Sequence, residues 1–195
     1  MIRVQLTDHL KQLAKAMERA TLDKLKELGK AHNYTELDEP EQFYYGALGE
    51  LAFVSMLRQQ GIQASYQPLQ NGVADECDVT VWHEQQPVTL DIKTASKAHY
   101  KYLMTPAVQV ARADRYVGVK IDGNEAVIYG VASRHQLRPH QDYGVKAKIP
   151  TLCLPLDELT PIEEVNAYLT KGQTQINIPE KVVEIWQKSI VKTVE

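Results

Sequence analysis

Long apolar runs are missing from this 195-residue chain. Stretches such as Tyr116 to Val119 fall far short of the ~18 residues a membrane-spanning helix needs, so no span is expected. Cysteine is nearly absent as well. Cys77 and Cys153 form no CxxC pair and are too few for a disulfide framework, which points to a reduced, cytoplasmic setting. The first residues, Met1-Ile2-Arg3-Val4-Gln5, carry neither an apolar run nor a small-residue cleavage site, so no signal peptide is expected. No excess of one charge exists: 22 Lys+Arg stand against 25 Asp+Glu, a net charge of −3. A protein coated in basic residues is thereby excluded, although a local basic face could still bind nucleic acid. Repeats, low-complexity tracts and a GxxxxGK[ST] phosphate loop are missing too, which leaves no ATP motor in the chain.

The rest of the composition is ordinary for a globular fold, with 44% hydrophobic and 24% charged residues. Collagen, coiled-coil rods and disordered tails do not fit it. The length predicts one domain over 1–195, with a helix and linker over 1–40, a core over 41–132 and an extension over 133–195.

Helical periodicity is clear over 6–30, where Leu6, Leu10, Leu13, Ala14, Met17, Ala20, Leu22, Leu25 and Leu28 recur. Thr7 is a candidate cap and Gly29 a candidate stop. A polar, mobile connection is expected over 30–42, with Asn33 and Pro40 as breakers. A second helix is predicted over 41–60, ending at Gly61. Gly46 and Gly49 inside it each cost about 1 kcal/mol relative to Ala, a cost that close approach to another element would justify.

Strand alternation follows over 77–82, where Cys77, Val79 and Val81 alternate with Asp78, Thr80 and Trp82, and over 88–93. The five residues between them suit a hairpin. Thr105-Pro106 reads as the start of a short helix reaching Arg112. Strands are expected over 115–121 and 125–132 around an Asp122-Gly123 turn, and over 147–154. Helices are expected over 161–169, capped by Thr160, and over 179–190. Mixed strands and helices predict an α/β or α+β domain.

The richest segment is Thr89-Leu90-Asp91-Ile92-Lys93-Thr94. Alternate residues of a strand share a face, so Asp91 and Lys93 point one way and Leu90 and Ile92 the other, into a core. Taken alone, Asp-x-Lys reads as a surface salt bridge. Asp78 lies on the preceding strand, however, and an antiparallel hairpin brings it beside Asp91. Adjacent carboxylates repel, and a hard cation such as Mg²⁺ or Mn²⁺ offsets that repulsion. Asp75 and Glu76 are alternative ligands if the register shifts. On the second helix, Gly46, Glu50, Phe53 and Leu57 share a face, which aims Glu50 at the sheet; the bland reading is an acid at the edge of an amphipathic stripe.

In their order along the chain, these segments resemble the PD-(D/E)XK nuclease superfamily, the restriction-endonuclease-like fold. The likeness covers about 43–121 and rests on order and spacing. It implies a core of helix, three strands, helix and strand, with a mixed central sheet flanked by helices. It also implies a divalent-metal-dependent nuclease acting on DNA in preference to RNA, and a possible homodimer. Glu50 matches the helical acid, Asp78 the first strand acid, Asp91 the second and Lys93 the lysine, and the backbone carbonyl of Ile92 becomes a further metal ligand. Cys77 stands where the family name has proline. Gln109 lies where some branches carry a helical glutamine, but the tyrosine they place four residues later is Ala113 here.

Beyond that core, Lys97, His99, Tyr100, Lys101 and Tyr102 mix basic and aromatic residues beside the lysine strand, a pattern suited to nucleic acid. Arg134, His135, Arg138 and His140 form a second basic cluster, read first as a surface loop and then as a phosphate contact. Its histidines lack partners at zinc spacing. The competing reading is a non-catalytic nucleic-acid-binding or assembly protein that retains the same fold; a third reading is an α/β domain whose acids are unrelated surface groups.

Overall fold

A computed structural model describes residues 1–27, 39–66, 68, 77–97 and 99–191. In chain order the elements are β1 (Ile2–Gln5), α1 (Asp8–Glu27), α2 (Glu39–Gln59), β2 (Ala64–Tyr66), β3 (Val79–His83), β4 (Gln86–Ala95), β5 (Tyr102–Pro106), β6 (Arg115–Asp122), β7 (Glu125–Ser133), β8 (Arg138–Pro139), β9 (Thr151–Pro155), β10 (Thr160–Pro161), α3 (Ile162–Tyr168), β11 (Thr174–Ile176) and α4 (Glu180–Val191). No helix among the described residues is long and apolar enough to cross a membrane. Both cysteines are free.

The fold is mixed α/β. An eight-stranded sheet runs β1-β7-β6-β4-β3-β2-β11, with β10 added to β7, and a second sheet runs β5-β9-β8. β3 and β4 are antiparallel, while β4 and β6 are parallel. One face of the large sheet packs on the helices. Leu90, Ile92, Val117 and Val119 meet Leu48, Leu51, Ala52 and Phe53 of α2 there, with Ala14 and Met17 of α1 in the same core. The other face carries a smaller core in which Tyr116 and Ala132 join Leu103, Leu154, Leu156 and Leu159.

Several elements follow the sequence pattern. Thr7 caps α1, its Oγ1 accepting from the Leu10 N–H at 3.3 Å. The β3–β4 hairpin closes through Glu84 and Gln85, both at positive φ (49° and 66°), as a two-residue turn of matching twist requires. Of the two helical glycines, only Gly49 makes a close approach. A Cβ there would lie 1.9 Å from Thr94 Oγ1 on β4, whereas a Cβ on Gly46 meets nothing within 4 Å.

Other expectations are corrected. Thr105 and Pro106 end a strand instead of starting a helix, because Leu103 and Thr105 bury one face of β5 while it pairs along β9. Only a 3-10 turn, Ala107–Gln109, follows. The connection from β4 to β6 therefore contains a strand and a single turn among its described residues. Thr160 does not cap α3; Thr160 and Pro161 pair with β7. The expected strand over 147–154 begins only at Thr151. The polar connection ends earlier than expected, since α2 starts at Glu39 and takes Pro40 into its first turn. Gly29 lies outside the described residues, as do Asp75 and Glu76. Strands β1, β2, β8 and β11 have no counterpart in the sequence pattern.

Candidate active site

Four polar side chains gather where β3 leaves β4. The last ladder pair is Val79↔Leu90, so continuing the register sets Asp78 opposite Asp91. The Asp78 N–H still donates to the Leu90 carbonyl at 3.0 Å. Beyond it the Asp78 side chain replaces the ladder, with Oδ2 accepting from the Ile92 N–H at 2.6 Å. N–H and C=O of one strand residue point to the same side, so the Ile92 carbonyl also faces the edge that β3 has vacated.

Asp91 and Lys93 rise from the face opposite α2. Their register partners on β6 are Tyr116, buried in the smaller core, and Gly118, against which Leu156 and Leu159 pack. The Lys93 Nζ lies 2.8 Å from Asp91 Oδ1. Glu50 arrives from the α2 side, brought close to β4 by the Gly49–Thr94 contact. Its Oε2 accepts from the Tyr66 hydroxyl at 2.9 Å.

These groups feel one another. Burial, reinforced by the charges of Glu50 and Asp91, pushes the Asp78 carboxyl well above its ordinary range. Burial likewise pushes Glu50 up from 4.5 to about 7, with Asp91 adding to the rise and the Tyr66 hydrogen bond and Lys93 opposing it. Tyr66 is itself driven well above 10 by burial and by Glu50. Acids buried near one another in this way resist ionisation unless an opposite charge offsets them.

The donor chemistry fits a hard dication: carboxylates of Glu50, Asp78 and Asp91 plus a backbone carbonyl, all oxygen. Among the described residues, no group of three or more His, Cys, Asp or Glu forms a ready-made metal cluster. Two of the acids are spent otherwise, Asp78 on the Ile92 N–H and Asp91 on the Lys93 ammonium.

The expected nucleic-acid residues divide. Gln109 ends the 3-10 turn, and its backbone carbonyl, rather than its side chain, meets the Tyr116 hydroxyl at 3.3 Å. The Arg112 N–H donates to the same Gln109 carbonyl at 3.0 Å, and Arg134 is exposed just beyond the end of β7, whose Ala132 pairs with Tyr116. Burial and then Asp91 push the Tyr116 phenol up to about 12. Both arginines thus follow segments that border Tyr116, the β6 neighbour of Asp91. Lys97 sits over the Tyr100 ring at 6.0 Å, and His99 meets that ring edge-on. Lys101 is exposed in the same loop. Arg138 is exposed on β8, opposite Cys153 of β9. His140 is buried, its Nδ1 2.7 Å from the Val145 carbonyl.

Two residues escaped the sequence reading. Tyr66 belongs to a three-residue strand too short to show a period. Arg112 lay in a segment read as helix.

No family model matches the chain, and no curated protein matches it in sequence.

Proposed function

We propose that this chain is a divalent-metal-dependent nuclease with a restriction-endonuclease-like core, hydrolysing phosphodiesters, with DNA favoured over RNA. The observation that carries the reading is the meeting of Glu50 from α2, Asp78 from the start of β3, and Asp91 and Lys93 from β4 at one strand edge. Chance surface acids do not explain it, because Asp78 and Glu50 are half-buried and electrostatically linked to Asp91. The order of acids and lysine along the chain supports the same core. The strand and 3-10 turn between β4 and β6 depart from the helix expected there.

Glu50, Asp78, Asp91 and the Ile92 carbonyl would hold Mg²⁺ or Mn²⁺. Bound there, the ion would supply Lewis acidity toward a phosphate oxygen and a more acidic water. Lys93 orients the attacking water and offsets charge building on the phosphorane. Arg112 and Arg134 steady the phosphodiester backbone, with Lys97 and Lys101 extending the contact.

The test is a cleavage panel of linear, circular, single-stranded and branched DNA, plus RNA, with Mg²⁺, Mn²⁺ or EDTA. Metal-dependent cleavage lost in Asp91→Asn supports the reading. Nucleic-acid binding without cleavage or Mn²⁺ binding would favour the non-catalytic alternative.

A further inference from the structure

The Tyr66 ring is completely buried on β2, yet a phenylalanine would fill that space without a hydroxyl to satisfy. Leaving a buried hydroxyl without a partner costs about 1–3 kcal/mol, so its partner explains its presence. That partner is Glu50 Oε2 at 2.9 Å. Its other contact among the described residues is the Met17 sulfur, at 3.8 Å, a weak acceptor. Tyr66 pairs with Val79, the residue next to Asp78, so the phenol reaches Glu50 from the strand that flanks the site.

From this geometry we infer that Tyr66 is a positioning residue: its hydroxyl engages Glu50 Oε2 and fixes the carboxylate so that Oε1 is presented to a divalent cation held with Asp78 and Asp91. The inference rests on the metal-dependent reading above. Glu50 sits on a flexible side chain with several rotamers. One hydrogen bond to a rigid, fully buried ring removes most of that freedom before any ligand binds. Outer partners of metal-ligating carboxylates typically act this way, and losing one lowers metal affinity by about 10–100-fold.

The experiment is a double-mutant cycle read by calorimetric Mn²⁺ titration of the full chain: wild type, Tyr66→Phe, Glu50→Gln and the double variant. Tyr66→Phe keeps the ring and its packing. It should bind Mn²⁺ about 10-fold more weakly or worse, and the double variant should bind no more weakly than Glu50→Gln alone. A purely structural role would lower affinity equally in both backgrounds, so additive losses would overturn the inference. Unchanged affinity in Tyr66→Phe would do the same while leaving the metal reading intact. Wild-type protein that binds no Mn²⁺ would overturn the metal reading itself, and this inference with it. Thermal unfolding of each variant in EDTA confirms that folded proteins are compared.

Discussion

Gly49 is where the fold decides whether Glu50 can reach the site. In Gly49→Ala the new Cβ would sit 1.9 Å from Thr94 Oγ1 and 3.0 Å from both Thr94 Cβ and Cγ2. Turning the Thr94 side chain relieves the first overlap but not the contact with its Cβ, so α2 and β4 must also separate. Overpacking of this severity belongs at the upper end of its usual range, about 3 kcal/mol. Alanine in place of glycine in a helix returns about 1 kcal/mol, for a net loss of about 2 kcal/mol. Gly46→Ala is the control on the same helix. Its Cβ meets nothing within 4 Å, so only the propensity gain remains, and stability should rise by up to about 1 kcal/mol. Urea unfolding followed by circular dichroism reads both, with an unchanged slope showing that the same surface is exposed. Thr94→Ala removes Oγ1 and Cγ2 and leaves only the 3.0 Å Cβ contact, at little cost, since the Thr94 hydroxyl is buried with no hydrogen-bond partner among the described residues. Combined with Gly49→Ala it should recover about 1–2 kcal/mol of the loss, as contacting residues do. If Gly46→Ala and Gly49→Ala behaved alike, the argument that α2 is held against β4 at this glycine would be refuted.

Glu50 is lifted from 4.5 to about 7, so the metal-free fold is most stable with respect to this group below about pH 4.5 and loses that contribution as pH rises through about 7. Denaturation at a series of pH values in EDTA should show Glu50→Gln flattening the decline, by up to about 3 kcal/mol at about 1.4 kcal/mol per unit. Lys93→Met should keep Mn²⁺ affinity, or tighten it, while single-turnover cleavage falls about 10²–10³-fold; near-normal cleavage would mark Asp91-Ile92-Lys93 as a chance triplet. Arg112→Ala and Arg134→Ala should each weaken nucleic-acid binding and reduce the salt-dependence slope by about 1, and unchanged slopes would remove both residues from the interface.

Much of the candidate site's placement was readable because it lies on long, strongly patterned elements. The alternation of β3 and β4 set the face of Asp91 and Lys93, and the helical stripe of α2 aimed Glu50 at the sheet. The β6–β7 hairpin was legible for the same reason. Tyr66 was not, since a three-residue strand carries too few positions for a period, and its partners at Glu50 and Met17 lie far away in sequence. β5 failed differently. Thr-Pro is a good local helix start, but Leu103 and Thr105 are buried along β9, and that tertiary pairing outweighs the local signal. The glycines split too: sequence alone gave both the same cost, and only the position of Thr94 separates them.

Two independent constraints bring Asp78 to Asp91. The Glu84–Gln85 turn fixes His83↔Gln86 and, counting back, Val79↔Leu90. Burial fixes the same register from the other end, because Val79, Val81, Leu90 and Ile92 must all face the helices. A slip of one residue would set Cys77 or Val79 against Asp91 and turn the apolar side chains of one strand away from the core. Turn and core therefore agree, and the acids inherit a register set by the turn and the apolar residues. β3 begins only at Val79. Had the ladder run on, the Ile92 N–H would have bonded to backbone, and Asp78 would have had no donor to hold it at the strand edge. Because β3 begins one residue after the acid, the Ile92 N–H is left for Asp78, and Glu50, Asp78 and Asp91 lie close enough to feel one another's charge.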